Sequence, residues 1–251
     1  MNNPSSDNSL FEIAVSRHFT TWLAEQKVSL AFTHPPLKFM LVGLKSDGQL
    51  SVFERTFLRC LGLAADGVDT IYVSSRYQIW RLDNALPANQ QTEGEYDKQY
   101  IPHKVYTTGT LGTHDVAVDG QGRVIFINTR FGCLATVSDQ YSFIPLWRPP
   151  HLAHLADPAP GDRCHLNGLA MKNGRPAYVT SVSQTAIFDS WRDKRKGGGV
   201  IIDVATNEVV TGGLSIGYSL KVKCAKSLAS PSCPVYADQA RSTFLAMLSK
   251  T

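Results

Sequence analysis

The sequence predicts an all-β fold, a β-propeller whose blades repeat about every 53 residues. Segments 61–64, 114–117 and 167–170 align at this spacing, and each is followed by a turn and then by a β-rich run. A repeat near 50 residues that restarts with strand, turn and strand is typical of a propeller blade. An all-β domain with evenly spaced hairpins is the alternative.

The composition is that of a globular protein. The 251 residues are 43% hydrophobic and 18% charged, which excludes a disordered or collagen-like chain. The longest apolar run, 39–44, is too short to span a bilayer, and the N-terminus does not resemble a secretory signal. Five scattered cysteines indicate no disulfide framework, so we expect a soluble, cytoplasmic protein. A net charge of +4 gives no argument for nucleic acid.

Residues 1–30 are predicted to form an amphipathic helix and its lead-in. Apolar residues fall on one helical face at Phe11, Val15, Phe19, Trp22 and Leu23. Ser9 and Glu12 have the spacing of a capping box. A membrane-surface helix is the alternative, but the polar face carries few Lys or Arg.

Residues 31–215 are predicted to form the blades. Segments 39–44 and 50–53 flank an Asp47-Gly48 turn and predict a hairpin. We expect 61–64, 114–118 and 167–170 to be innermost strands in separate sheets. We expect segment 199–204 to pair with 208–210 as the outer hairpin of the third repeat.

Residues 216–251 are predicted to be an atypical tail. Lys221, Lys223 and Lys226 alternate with other residues, and 236–248 has a helical stripe, but no fourth copy of the repeat is visible. We therefore expect an incomplete ring with an exposed last edge and a helical C-terminal tail. Exposed strand edges favour association, so poor solubility or oligomerisation is expected.

Several longer motifs carry a family resemblance. They are Phe53-Glu54-Arg55-Thr56-Phe57, Tyr77-Gln78, Trp80-Arg81, Tyr106-Thr107-Thr108-Gly109, His114-Asp115, Leu146-Trp147-Arg148-Pro149-Pro150 and Arg163-Cys164-His165-Leu166-Asn167-Gly168-Leu169-Ala170. Together they resemble an uncharacterised bacterial conserved-hypothetical family, a domain of unknown function expected to be a β-propeller. Members of that family continue past Ser215 with a His-Ser-Pro run where Tyr218-Ser219-Leu220 stands here, which suggests truncation or a reading-frame change.

A more distant similarity is to the six-bladed propellers of the sugar-lactonase and strictosidine-synthase type. Their Pro-Asn-Gly-Leu motif looks like Leu166-Asn167-Gly168-Leu169. In those proteins the Asn lies at the mouth of the central tunnel and binds a divalent cation. The resemblance therefore implies a cation near Asn167.

The 53-residue repeat also predicts a metal site near Asn167. His114 and Asn167 occupy equivalent positions, and Asp115 follows His114, so we expect these three side chains to converge on a metal ion at one end of the channel. Asn and Asp oxygens suit Ca²⁺ or Mg²⁺, and an imidazole favours Zn²⁺, Mn²⁺ or Fe²⁺. The alternative is structural: the His-Asp pair satisfies backbone groups of the neighbouring blade, and Asn-Gly forms a turn.

Three further residues are candidates for an anionic ligand. Arg163 and His165 flank Asn167, and Arg59 precedes the equivalent strand of the first repeat. Arg forks match carboxylates, although such residues also tie blades together. The sequence contains no nucleophile elbow, phosphate-binding loop or dinucleotide-binding motif.

Two functions remain open. One is a metal-assisted hydrolase or isomerase of a small polar substrate, with the ion polarising a carbonyl and activating water; its catalytic residues are not identified. The other is a non-catalytic propeller that binds a protein or glycan partner. The fold alone does not decide between them.

Overall fold

The computed structural model describes residues 13–34, 38–92, 96–155, 160–215 and 221–226. Within these residues one α-helix and sixteen strands are found, with short 3₁₀ helices at Pro150–Leu152 and Ser190–Lys194. The elements are α1 (Phe19–Gln26), β1 (Val28–His34), β2 (Lys38–Leu44), β3 (Leu50–Thr56), β4 (Leu63–Asp66), β5 (Thr70–Ser74), β6 (Gln78–Asn84), β7 (Tyr100–Thr107), β8 (Val116–Val118), β9 (Val124–Asn128), β10 (Cys133–Thr136), β11 (Ile144–Trp147), β12 (Leu166–Lys172), β13 (Arg175–Ser181), β14 (Gly199–Asp203), β15 (Val209–Leu214) and β16 (Lys221–Lys226).

The strands form four antiparallel sheets of four, which are the blades of a propeller. Their orders are β16-β1-β2-β3, β4-β5-β6-β7, β8-β9-β10-β11 and β12-β13-β14-β15, hereafter blades 1 to 4. The first strands of consecutive blades contact each other, β16 with β4, β4 with β8 and β8 with β12. The predicted inner segments 61–64, 114–118 and 167–170 thus lie in separate sheets, and the propeller class is confirmed. The described residues form four blades, fewer than in the six-bladed propellers.

The two ends of the chain differ in detail from the sequence analysis. The N-terminal helix is present, but it begins only at Phe19, and β1 begins at Val28 inside the predicted lead-in. The strand β16 lies in the predicted tail and pairs with β1 from Val28 opposite Lys226 to Thr33 opposite Lys221. The predicted capping box and the helical stripe at 236–248 lie outside the described residues. The domain boundaries and the incomplete ring stay predictions.

The hydrophobic core lies between neighbouring blades. Each of three clusters draws buried side chains from two sheets: Phe39 and Ile71 for blades 1 and 2, Ile79 and Phe126 for blades 2 and 3, and Ile125, Leu134, Leu169 and Val179 for blades 3 and 4. Complete burial of one such side chain contributes about 1.5–3 kcal/mol. The inner strands are therefore fixed by apolar contacts on both faces.

Buried hydroxyl groups add a repeated polar link between blades. In each case a Ser or Thr at the end of a blade's second strand donates to the carbonyl that leads into the next inner strand. The pairs are Thr33 Oγ1 to Leu61 O at 2.9 Å, Ser74 Oγ to Thr113 O at 2.9 Å and Thr129 Oγ1 to Leu166 O at 2.6 Å. These bonds fix the segments that carry the candidate functional residues.

Candidate functional site at the upper end of the propeller

We call the end of the propeller at which β4, β8 and β12 begin the upper end. The turn before each of these strands contains a residue with positive φ: Arg59 (54°), Gly112 (64°) and His165 (52°). These positions are 53 residues apart. Only glycine adopts this conformation without steric penalty, and strained non-glycine residues cluster at functional sites. Arg59 and His165 are therefore held at the upper end in an unfavourable backbone conformation.

His165 is the centre of a compact group of side chains, which we call the histidine cluster: His114, Asp162, His165 and Trp191. The Nδ1 atom of His165 lies 2.6 Å from Asp162 Oδ2. Its ring stacks on Trp191 at a centroid distance of 4.0 Å and meets the edge of the His114 ring at 4.9 Å. The His165 side chain is 15% exposed, so contacts on several sides fix the ring and still leave it partly open.

The contact with Asp162 determines what His165 can do. In the neutral ring a carboxylate partner assigns the proton to Nδ1, which leaves Nε2 as a hydrogen-bond and proton acceptor. A histidine oriented in this way by an acid is a general base in many enzymes. The cluster therefore has the composition of a proton-transfer site.

Two buried polar atoms of the cluster lack partners among the described residues. Asp162 Oδ1 is a buried acceptor without a donor, and Trp191 Nε1 is a buried donor without an acceptor. Most buried polar atoms in native proteins are hydrogen-bonded, and exceptions are frequent at functional sites. An acceptor and a donor beside the same imidazole thus fit a polar ligand or bound water.

Asp115, a predicted metal ligand, is used by the backbone. Its side chain is buried, with the residue 1% exposed. One carboxylate oxygen accepts a bond from Val116 N–H and the other from Leu169 N–H, both at 3.0 Å. The second bond joins blade 3 to blade 4. These contacts favour the structural alternative that the sequence analysis left open for this residue.

Asn167 lies in an irregularity of β12. The register with β13 shifts between Leu166 and Leu169, and Gly168 N–H donates to Thr180 Oγ1 at 2.8 Å. A Cβ on Gly168 would lie 2.8 Å from that same oxygen, so glycine permits this close approach. Bulges of this kind re-aim side chains and are enriched beside active sites.

The predicted divalent-metal site includes a carboxylate that the backbone already uses. Both oxygens of Asp115 already accept backbone hydrogen bonds. The described part of the chain contains no group of three His, Cys, Asp or Glu residues that could hold an ion. The ligand set His114, Asp115 and Asn167 stays a prediction.

The predicted anion-binding residues are distributed over the upper end. Arg163 is half-buried, and its Nη1 donates to Ala186 O at 2.9 Å. Arg59 is exposed and belongs to the turn before blade 2. His165 is in the histidine cluster, where the structure brings it against His114, the predicted metal ligand from the neighbouring blade. The anion-binding role stays a prediction for all three.

Sequence reasoning missed Asp162 and Trp191. Asp162 precedes His165 by three residues, and Trp191 is next to the basic run 192–196. A bulky aromatic residue at the edge of a charged segment was the available signal. Arg192 lies over the Trp191 ring at 4.5 Å and binds Asp189 through Nε at 2.7 Å.

A separate cavity of about 1190 Å³ lies between blades 1 and 2. It is lined by α1 and by strands of both sheets, including Leu23, Phe39 and Tyr100. It shares no residue with the histidine cluster, whose chemistry is better defined. None of the described helices has the length and apolar character that crossing a membrane would require.

Comparisons with known proteins give a family but no activity. Among solved structures, the chain is similar to a luciferin-regenerating enzyme at 15% identity with a TM-score of 0.36, over 77% of this chain. The chain thus spans about half of that structure, 53% of its length. The search of curated proteins found no match. The model of a domain of unknown function, DUF4915, matches residues 17–224, and the chain belongs to this family.

Proposed function

We propose that the upper end of the propeller binds a small polar molecule and that His165, held by Asp162, accepts a proton during its hydrolysis. The observation that carries the proposal is the 2.6 Å contact between Asp162 Oδ2 and His165 Nδ1, in a residue of strained backbone conformation. The partnerless atoms of Asp162 and Trp191 support a polar ligand at this place.

The chemistry is that of a general base. His165 Nε2 removes a proton from water while the water oxygen forms a bond to a carbonyl carbon of the substrate. The imidazolium then returns the proton to the leaving oxygen as the carbon–oxygen bond breaks. Asp162 stabilises the imidazolium, and general-base assistance of this kind contributes about 10²–10⁴-fold in rate.

A divalent ion held by His114, Asp115 and Asn167 is a separate part of the hypothesis. When bound, such an ion would polarise the substrate carbonyl. The role of His165 does not depend on it. Metal analysis of purified protein, compared between wild type and Asn167→Ala, tests this part on its own.

The alternative is a non-catalytic propeller that binds a protein or glycan partner. One observation favours it: Ile187 is 70% exposed and Phe188 is 62% exposed near the histidine cluster. Exposed apolar side chains at the rim of a site are typical of interaction surfaces. Variants of His165 separate the two functions, because only catalysis needs the His165 imidazole as a base.

The test is hydrolysis of a panel of chromogenic esters and lactones by His165→Asn and Asp162→Asn. Asn tolerates positive φ better than most residues, so the turn is expected to fold. A matched control exists in blade 2, where His103 Nδ1 contacts Asp83 Oδ2 at an exposed position. We expect a loss of about 10²-fold or more in the His165 variant and wild-type rates in His103→Asn. Equal rates in all variants would overturn the proposal.

A further inference from the structure

Beside the histidine cluster, residues 185–190 form a turn with internal hydrogen bonds, which we call the 185–190 loop. The hydroxyl groups of Thr185 and Ser190 lie 2.7 Å apart, and Thr185 Oγ1 accepts a bond from Ile187 N–H at 3.1 Å. Ser190 Oγ donates to Ile187 O at 3.0 Å. The polar side chains are thus directed inward to the loop's own backbone.

Two further bonds attach the loop to the histidine cluster. Asp189 N–H donates to Asp162 O at 2.8 Å, and Arg163 Nη1 donates to Ala186 O at 2.9 Å. The loop is therefore fixed against the residues that precede His165, so its apolar side chains are presented at a defined position.

Those apolar side chains are among the most exposed large hydrophobic groups of the described residues. Ile187 is 70% exposed and Phe188 is 62% exposed, although the backbone around them is held by the bonds above. A rigid turn that keeps two such groups in water gains little stability from them. Apolar groups exposed at the rim of a polar site are typical of ligand contact.

Gly161 brings an aromatic ring and a cation to one point. A Cβ on this residue would lie 3.0 Å from Phe188 Cδ2 and 3.8 Å from Arg163 Nη2. The glycine N–H donates to Arg130 O at 2.7 Å, and the Arg130 side chain is exposed. The missing side chain leaves the ring and the guanidinium side by side.

The Arg163 guanidinium is the group at this point that favours an anion. Asp189 is paired with Arg192, whereas Asp162 contacts His165, which is neutral in the proposed function and does not compensate the carboxylate. The Arg163 guanidinium, by contrast, donates to a neutral carbonyl, so that bond does not compensate its positive charge. A carboxylate would pair with it in the geometry that Arg prefers.

We propose that Phe188 and Arg163 together bind a small anion that carries an apolar group, an aryl or alkyl carboxylate, beside His165. The inference rests on the proposed function, because an aryl or alkyl carboxylate is the product that hydrolysis of an ester or lactone at His165 would release. Phe188, with Ile187 beside it, contacts the apolar part, and Arg163 binds the carboxylate.

The experiment is an NMR titration of the full chain with phenylacetate, acetate and benzyl alcohol. Phenylacetate has both features, acetate only the charge and benzyl alcohol only the ring. We expect phenylacetate to bind about tenfold more tightly than either partial probe, a difference of about 1.4 kcal/mol. Equal affinity for all three probes would overturn the proposal.

Matched variants locate the site. Phe188→Ser and Arg163→Gln are each expected to weaken phenylacetate binding about fivefold or more. The control for Phe188 is Phe53→Ser, since Phe53 is 52% exposed on β3 of blade 1. The control for Arg163 is Arg175→Gln, because Arg175 is exposed at the opposite end of the inner strands. Equal weakening in a control and its partner variant would contradict the assignment.

Arg163 also anchors the 185–190 loop, so a loss of binding in Arg163→Gln could come from the loop as well as from the lost charge. A second variant separates these two causes. Arg163→Lys keeps the charge but not the bidentate fork, and we expect intermediate affinity for phenylacetate at an unchanged melting temperature. If phenylacetate binding requires Phe188 but hydrolysis does not require His165, the binding site stands and the proposed function fails. If hydrolysis requires His165 and phenylacetate binds all variants equally, the proposed function stands and this inference fails.

Discussion

Asp115→Ala is expected to destabilise the protein strongly, whether or not metal is present. The substitution removes the acceptor for two backbone donors, Val116 N–H and Leu169 N–H, both in buried residues. Each buried donor left without a partner costs about 1–3 kcal/mol, so the loss is about 2–6 kcal/mol. That is a large part of the 5–15 kcal/mol typical of a whole domain. Asp115→Asn keeps one acceptor oxygen, and we expect a loss of about 1–3 kcal/mol.

The assay is urea unfolding followed by circular dichroism, in the presence of EDTA. Asp47→Ala is the matched control, because Asp47 also accepts a backbone N–H, from Gln49 at 2.8 Å, but at an exposed turn. There the donor is solvated after the substitution, and a loss of about 1 kcal/mol or less is expected. If Asp115→Ala has the stability of wild type in EDTA, or is less stable than wild type only when a divalent metal is present, the structural role of this carboxylate is refuted.

Three further predictions concern the backbone, a histidine and the thiols. Gly112→Ala is expected to lower the free energy of unfolding by about 1–2 kcal/mol, because φ is positive there; unchanged urea stability would contradict this. Burial lowers the pKa of His151 from 6.5 to about 4. The unfolded chain therefore binds this proton first, so stability is present above pH 6.5 and is lost as the pH falls toward 4. His151→Asn should flatten that part of the pH profile of urea unfolding, and an identical profile would refute the assignment. Burial raises the pKa of Cys60 to about 12 and that of Cys164 to about 11, so mass spectrometry should find neither thiol labelled by iodoacetamide at neutral pH until denaturant is added.

The repeat could be predicted because the inner strand of each blade has its own local sequence pattern. Segments 61–64, 114–118 and 167–170 combine apolar and small residues at one spacing, and interblade packing requires this at every copy. The strand β16 was missed because its partner β1 lies at the other end of the chain. A pairing between such distant segments produces no pattern in the neighbouring sequence. The alternation of Lys221 and Lys223 with Val and Cys was nevertheless a strand signal, although the segment was assigned to the tail.

The candidate site was predicted only in part. The register placed His114 and His165 at one end of the propeller, and their rings do meet. It could not predict Trp191, which reaches His165 from the long excursion between β13 and β14. It also could not decide what Asp115 binds, since a buried carboxylate at a strand start serves a metal or a neighbouring backbone equally well. The hydrogen bond from Leu169 N–H favours the backbone role.

The most direct test of the account is the protonation of the two ring nitrogens of His165, measured by nitrogen NMR in wild type and in Asp162→Asn. The 2.6 Å contact with Asp162 predicts that the neutral ring carries its proton on Nδ1 in wild type, with Nε2 unprotonated. In Asp162→Asn the proton should move in part to Nε2. A wild-type ring protonated on Nε2, or a tautomer unchanged by the substitution, would contradict the assignment of His165 as the proton acceptor.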